Sequence, residues 1–469
     1  MPGEAQMVEA RLRTVVSPDL PLRFGISAPH RECSDARRSV TIGRAIVPLE
    51  LRGEGDVVKR LARVLIVLPL SLGVVAVPRP AAAGRTCADR NVPVTVEERR
   101  LALSAPAEIL RRSGFDTYAK GFTSALCQLR GFADAESVVR AHGQELWQAA
   151  TARAQGRLAP GRLPAIDDRP LYWARLQMTK AVRQWTPSFE LGASERSALL
   201  ATLEKSSRGQ NSIDYSGSMK RILLTGFDPF LLDVDIRQSN PSGATALALD
   251  GTVVAIAGGF ARIETAVFPV LWEPFAQGVV EQTLLPHLGD IDMFTTVSQG
   301  RVGRFDLERY NGRRRGGFID NDNVSSSGVI PIPDGVPTVE PAPEFVPTTL
   351  PYADIVAAVT GGFPVFDHTS VVEIPADETA PVVRPDGPTP GSVAVEGGGG
   401  DYLSNEIAYR ATLLRDALGL QIPGGHLHTP VLQFAAGNTT KLTDPTFEAN
   451  QRDIVDQVRA ILIVAAGTP

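Results

Sequence analysis

Cysteine is scarce in this chain, with three in 469 residues: Cys33, Cys87 and Cys127. Three cysteines cannot form a disulfide-dense scaffold, and their spacing contains no Cys-x-x-Cys pair of the kind that binds structural zinc. A net charge of −5 gives no reason to expect nucleic acid as a partner. Hydrophobic residues make up 43% of the chain, which excludes wholesale disorder. At roughly 100–200 residues per domain, we expect two globular domains and an extra tail.

The chain has little apolar sequence of membrane-spanning length. The uncharged apolar run over residues 64–78 has 15 residues, fewer than the roughly 20 that a spanning helix needs. Lys59, Arg60 and Arg63 precede this run and three alanines at 81–83 follow it, which is the pattern of a secretory signal peptide. We predict a signal segment over 57–83 and a secreted protein that meets a membrane only through this segment. A cytoplasmic protein is the alternative.

The signal-like segment lies far from Met1, although signal peptides begin at the N-terminus. We predict that translation starts near Val57 or Val58 and that residues 1–56 are an artefactual or disordered extension. The alternative is a cytosolic chain in which the apolar run forms a buried helix.

Cleavage near Ala83 leaves Cys87 and Cys127 in the exported protein. An even pair of cysteines in an oxidising compartment is a candidate disulfide. Two unpaired, buried thiols are the alternative, because the bond requires Cα atoms within about 7 Å of each other.

The pattern of the remaining chain changes near residue 206. Residues 84–205 place apolar residues, three tryptophans among them, at helical spacing, which predicts a small all-α accessory domain. Residues 206–218 are polar and rich in Gly and Ser, which predicts a linker.

Residues 219–469 alternate short apolar runs with helical patterns. This alternation predicts an α/β domain of helix–sheet–helix layers with a mostly parallel central sheet. Between about residues 329 and 400 the chain is rich in Pro and Gly, and we predict surface loops there with one helix inserted. The predicted strands are 221–226, 253–257, 263–270 and 293–297, and the predicted helices are 276–285, 353–359, 405–418 and 450–465.

Generic motifs for catalysis and cofactors are absent from the sequence. It contains no Gly-x-x-x-x-Gly-Lys phosphate loop, no His-Glu-x-x-His and no Gly-x-Ser-x-Gly. We therefore expect no cofactor. His426 and His428 stand at alternate positions, where a strand would place both imidazoles on one face as metal ligands. A single pair makes no metal site, and we expect no metal.

Six short segments of residues 219–469 carry a recognisable pattern. They are Thr225-Gly226-Phe227-Asp228-Pro229-Phe230, Asn240-Pro241, Val297-Ser298-Gln299-Gly300 with Glu308-Arg309, Leu350-Pro351, Gly399-Gly400-Asp401-Tyr402-Leu403-Ser404-Asn405 and Gly424-Gly425-His426-Leu427-His428-Thr429-Pro430. Taken in this order, they resemble the motifs of the pyroglutamyl peptidase I (pyrrolidone-carboxylate peptidase) family.

The resemblance implies an α/β fold and an omega-peptidase activity that removes an N-terminal pyroglutamate from peptides. It makes such a peptide the expected partner and leaves open whether the chain forms a homo-oligomer. Carried over residue by residue, it makes His428 the catalytic histidine and Glu308 the acid, and it places Ser404 where the family has its cysteine nucleophile. Phe227, Phe230 and Gln299 match residues that line the pocket for the lactam ring.

The chain departs from the family at the nucleophile, since residues 219–469 contain no cysteine. Glu406 replaces a histidine of the family, and residues 311–317 do not follow its pattern. Three interpretations of Ser404 stay open. It is the nucleophile of a Ser404–His428–Glu308 triad, or part of an inactive pseudoenzyme that still binds pyroglutamyl ends, or only a helix cap. We predict the first, because His428 and Glu308 are retained.

Overall fold

The structure is a computed structural model that describes residues 87–468. The predicted N-terminal extension, the signal segment and Cys33 lie outside the described residues, so those predictions stay predictions. None of the helices in the described part is long and apolar enough to cross a membrane.

The first 120 or so described residues are helical. Thr95 and Glu98 form a capping box at the start of the first helix, in which each side chain accepts a hydrogen bond from the backbone N–H of the other residue. The helices are α1 (Val96–Arg99, continued by a 3-10 turn at Arg100–Ala102), α2 (Ser104–Ser113), α3 (Asp116–Leu126), α4 (Phe132–Ala154), α5 (Arg169–Gln184) and α6 (Ala193–Ser206).

These helices share one apolar core. Trp147 and Trp173 lie in it with at most 2% of their surface exposed, and part of the α/β region, including Leu247 and Val267, packs against the same cluster. Cys87 and Cys127 are joined by a disulfide with Cα atoms 5.5 Å apart. The bond ties the start of the described chain to the C-terminal end of α3.

The α/β region is built on a seven-stranded sheet in the order β10-β5-β14-β4-β1-β3-β2. Four of its six pairings are parallel, while β14 with β5 and β2 with β3 are antiparallel. The strands of this sheet are β1 (Lys220–Phe227), β2 (Thr252–Ile256), β3 (Gly259–Phe268), β4 (Met293–Gln299), β5 (Phe305–Glu308), β10 (Val365–His368) and β14 (Gly424–Thr429).

Helices cover both faces of this sheet, which confirms the predicted fold class. One face packs on α7 (Pro241–Leu249), α10 (Tyr352–Ala357) and α12 (Pro445–Gly467). The other face packs on α8 (Trp272–Ala276), α9 (Val279–Leu288) and α11 (Leu403–Ala417). The predicted helix over 276–285 corresponds to α9 and begins three residues later, because α8 ends at Ala276 and Gly278 adopts φ +84° between the two helices.

Two predicted segments differ from the structure. The Pro- and Gly-rich region, predicted as loops with one helix, also contains five strands of three or four residues, too short for a periodic pattern to reveal. The predicted linker begins inside the core, where Ser206, Ser207 and Arg208 are at most 3% exposed, because Arg208 pairs with buried Asp228. The additional short strands are β6 (Tyr310–Gly312), β7 (Arg314–Gly316), β8 (Ser327–Val329), β9 (Phe345–Pro347), β11 (Val371–Ile374), β12 (Val382–Arg384) and β13 (Val393–Glu396).

Candidate active site

A pocket opens where three parallel strands end. Strands β1, β4 and β14 terminate at Phe227, Gln299 and Thr429, side by side in the sheet. After β1 the chain builds β3 on one side of it and then crosses to β4 on the other. The carboxyl ends of strands at such a switch point are the usual ligand site of open α/β sheets.

The pocket is a cavity of about 110 Å³ with a largely apolar wall. Phe227, Phe230, Gln299 and Ser404, four of the residues that the sequence singles out, all line it. Further lining residues are Leu231, Gln238, Asn240, Val270, Ser298, Gly300, Val302, Phe318, Asp401, Tyr402, Leu403 and Val431.

Gln299 supplies a polar group to this apolar wall. The residue is only 9% exposed, and within residues 87–468 its Oε1 receives no hydrogen bond. A buried acceptor without a donor costs about 1–3 kcal/mol, so this oxygen is suited to a ligand that brings an N–H group.

Ser404 lies in the first turn of α11, which begins at Leu403, two residues earlier than predicted. The residue that caps the helix is Tyr402, so Ser404 is not the helix cap. Its Oγ donates a hydrogen bond to Gly399 O at 3.2 Å. The first-turn N–H groups of a helix have no carbonyl partner within the helix and carry its positive dipole end, which favours developing negative charge beside Ser404.

His428 lies directly behind the pocket wall, almost fully buried, and its Nδ1 is 2.7 Å from Glu308 Oε1. Two glycines enclose its ring. A Cβ on Gly300 would fall 2.8 Å from the ring carbon Cγ, and a Cβ on Gly399 would fall 3.0 Å from Cε1. Gly399 therefore lies beside both Ser404 and the ring of His428, and His428 in turn contacts Glu308.

Glu308 is completely buried. Burial alone would raise the pKa of this carboxyl, but hydrogen bonds with His368 and His428 hold it well below its usual range. The carboxyl group therefore stays ionised and fixes the orientation of His428.

His368 is a site residue that the sequence reasoning missed. It ends β10, lies opposite Glu308 in the sheet register, and places its Nδ1 2.5 Å from Glu308 Oε2. No motif marks this position, since β10 is a four-residue strand in the Pro- and Gly-rich region.

His426 shares a face of β14 with His428, and the two ring centroids are 4.6 Å apart. Thr296 and Ser298 are each 2.8 Å from one of its ring nitrogens. Burial and the neighbouring His428 push its pKa well below the usual range. Both ring nitrogens are thus engaged, and the described residues contain no group of three or more His, Cys, Asp or Glu that could hold a metal ion.

The helical region holds the loop that follows β1. Asp228 is 3% exposed and pairs with Arg175 of α5 at 2.5 Å and with Arg208, just after α6. Asp168, just before α5, accepts the backbone N–H of Asn240 at 2.9 Å. Residues that line the pocket therefore depend on the helices for their position.

A second buried ion network begins at Glu406, two residues after Ser404 in α11. Arg315 forms a bidentate pair with Glu406 at 2.6 and 2.7 Å. Arg410 links Glu406 to Glu281. Glu406 and Arg315 both belong to the positions where the sequence departs from the pyroglutamyl peptidase pattern, and here they contact each other.

Comparison with known proteins supplies the family. The model of the PA0049 N-terminal domain matches residues 79–204, and that of the PA0049 C-terminal domain matches residues 221–344 and 362–433. An uncharacterized protein of Pseudomonas aeruginosa, PA0049, is 35% identical in an alignment that covers 80% of this chain and 89% of the relative. The chain belongs to the PA0049 family.

Solved structures similar to about half of the chain are pyroglutamyl peptidases, at low identity. A mutant pyrrolidone carboxyl peptidase from Pyrococcus furiosus is 22% identical, covering 52% of this chain and 97% of its own, with a TM-score of 0.35. Pyroglutamyl peptidase I from Bacillus amyloliquefaciens is also 22% identical, covering 53% and 98%, with the same TM-score.

Proposed function

We propose that this chain hydrolyses the peptide bond that follows an N-terminal pyroglutamate. The observation that carries the proposal is the series of contacts that runs from Glu308 through His428 and Gly399 to Ser404 at the pocket wall. Glu308 orients His428 through Nδ1, and Gly399 contacts both the ring of His428 and the hydroxyl of Ser404.

The reaction proceeds in two halves. Ser404 Oγ attacks the carbonyl carbon of the pyroglutamyl residue while His428 Nε2 takes the hydroxyl proton. The same proton passes to the nitrogen of the departing peptide, and an acyl-serine remains. Water then attacks this ester, gives a proton to His428, and releases pyroglutamate and the free Ser404 hydroxyl.

The pocket offers what a lactam ring requires. Phe227 and Phe230 provide aromatic surface, and Gln299 Oε1 is a buried acceptor for the lactam N–H. The N-terminal turn of α11 offers backbone N–H groups to the oxyanion.

The test is the release of a fluorescent amine from a pyroglutamyl amide by the purified full-length chain. Ser404→Ala should lower kcat by at least about 10³-fold, whereas Ser124→Ala, at an exposed serine of α3, should leave it unchanged. Ser404→Cys serves as a second probe of the nucleophile. Binding of pyroglutamyl amide without release by the wild type would instead identify an inactive binding protein, and no binding at all would remove both functions.

We also propose that the protein acts outside the cytoplasm. The Cys87–Cys127 disulfide supports this, because such bonds persist mainly in oxidising compartments. N-terminal sequencing of the protein from the source cells should find a chain that begins near residue 84. A mature chain that begins at Met1 would contradict export by this signal segment.

A further inference from the structure

One carboxylate holds two imidazoles at the candidate active site. Glu308 Oε1 lies 2.7 Å from His428 Nδ1, and Glu308 Oε2 lies 2.5 Å from His368 Nδ1. The second histidine comes from β10, which pairs in parallel with β5 so that His368 stands opposite Glu308. The three residues of the proposed triad thus have a fourth neighbour, His368, which contacts the other oxygen of the Glu308 carboxylate.

The chemistry of the acid determines the tautomers of both rings. An ionised carboxylate only accepts hydrogen bonds, so Nδ1 of each histidine carries a hydrogen. Nε2 of His428 is then the nitrogen that can take a proton from the nucleophile. Gly398 lies against this carboxylate, and a larger residue would not fit there, since a Cβ on Gly398 would come within 2.3 Å of Glu308 Oε2.

The two histidines differ in their access to solvent. The side chain of His368 is 18% exposed, while that of His428 is 1% exposed. A proton can therefore reach His368 from solvent, with Glu308 between it and the catalytic histidine.

We infer that His368 is a positioning residue for the reaction proposed above: it fixes Glu308 for His428, and its own protonation weakens His428 as a base. The inference rests on the proposed function for its effect on catalysis. As an imidazolium, His368 draws the negative charge of Glu308 toward Oε2, and the imidazolium form of His428 is then less stabilised. The titrations of the two rings are thereby coupled through one carboxylate.

Two arginines near this pair each have another carboxylate as their nearer partner. Arg309 pairs with Asp367 through two hydrogen bonds of 2.6 and 2.7 Å. Arg301 is closer to Asp306, at 2.7 Å, than to Glu308 Oε1, at 3.6 Å. The titratable groups on the elements packed around His368 and Glu308 are Arg301 and Arg304 after β4, Asp306 and Arg309 on and after β5, His426 and His428 on β14, Asp367 on β10, Tyr352 and Asp354 on α10, and Glu396 and Asp401 on either side of Gly397–Gly400.

Two substitutions separate positioning from titration. In His368→Asn the amide nitrogen can replace Nδ1 as the donor to Glu308, but the side chain does not titrate. His368→Leu removes both the donor and the titration. We expect His368→Leu to lower kcat by about 10²-fold with KM unchanged, and His368→Asn to restore most of kcat.

The coupling is measured by NMR titration of the His428 ring in the full-length protein, which does not depend on turnover. We expect the His428 signal to change in two steps with pH in the wild type and in a single step in His368→Asn. The midpoint of that single step should lie at a higher pH than the lower of the two wild-type midpoints. His287→Asn, at a half-buried histidine on α9, is the matched control and should leave both steps in place.

A single His428 step in the wild type, or equal kcat in the Asn and Leu variants, would overturn the inference. If no variant and no wild-type protein releases the amine, the proposed function fails, whereas a two-step titration would still support the coupling through Glu308.

Discussion

Two buried carboxylates lie behind residues that line the pocket, and their hydrogen-bond partners are of different kinds. Asp228, after β1, is held by two guanidinium groups, those of Arg175 and Arg208. Glu308, at the end of β5, is held by two imidazoles. Both acids are at most 3% exposed, and both join two structural elements.

The two clusters differ in whether the partners of the carboxylate can gain and lose a proton. A guanidinium does not release its proton in a protein, so the Asp228 cluster has a fixed charge and holds a loop. An imidazole gains and loses a proton near neutral pH, so the Glu308 cluster can transfer one. Burial and ion pairing alone therefore do not mark a carboxylate as part of the proposed triad, and the kind of partner must be considered as well.

The largest effect is expected from Glu308→Gln, which removes the acceptor for one imidazole. The amide oxygen can accept a hydrogen bond from the Nδ1–H of one histidine. The amide NH₂ then faces the Nδ1–H of the other histidine, donor against donor, so that ring must change its tautomer. Loss of the orienting acid of a triad lowers kcat by about 10⁴-fold, and we expect a loss of this order in the pyroglutamyl amide assay. Circular dichroism should show an intact fold. Activity within tenfold of wild type would show that Glu308 does not orient the base.

Asp228→Asn should affect stability rather than chemistry. The substitution leaves two buried guanidinium groups without the carboxylate that they share. Breaking a buried ion pair in this way lowers the free energy of unfolding by about 3–5 kcal/mol. Urea unfolding measures this loss. The matched control is Asp233→Asn, which breaks the pair of Arg100 with a carboxylate that is 55% exposed and should cost under about 1 kcal/mol. A loss of kcat in folded Asp228→Asn as large as that of Glu308→Gln would remove the distinction between the two clusters.

A smaller effect is expected from Glu97, a third buried carboxyl beside Asp228 whose hydrogen-bond partners are neutral. Tyr172 and Asn321 both donate to its Oε1. Burial, followed by the charges of Asp228 and Asp322, raises the pKa of Glu97 to about 8 from 4.5. The folded state then keeps a proton that the unfolded state releases, so stability present at about pH 4.5 is lost as the pH rises through 8.

The midpoint of urea unfolding should therefore fall between pH 5 and 8, and Glu97→Gln should make that fall shallower, since a neutral amide can still accept both hydrogen bonds. Burial also raises the pKa of Asp168, to about 7, so part of the slope should remain. An identical slope in Glu97→Gln and wild type would show that Glu97 is ionised in the folded protein.

The sequence predicts those parts of the site that local patterns encode. An apolar run that ends at a glycine predicts β1. His428 lies in one of the six segments that together resemble a known family. His368 could not be predicted, because its contact with Glu308 exists only through the pairing of two four-residue strands. The burial of residues 206–208 could not be predicted either. A polar segment is expected to be exposed unless it is known that Arg208 pairs with the buried Asp228.

The bidentate contact between Arg315 and Glu406 has a consequence for reading other sequences. A base at position 315 needs an acid at position 406, since Arg315 without Glu406 would be a buried charge without a carboxylate, whereas Glu406 would keep its pair with Arg410. The two positions are 91 residues apart in the chain, yet they are expected to change together when relatives diverge. The pair of residue types at these two positions is therefore a feature by which relatives built like this chain can be recognised from sequence.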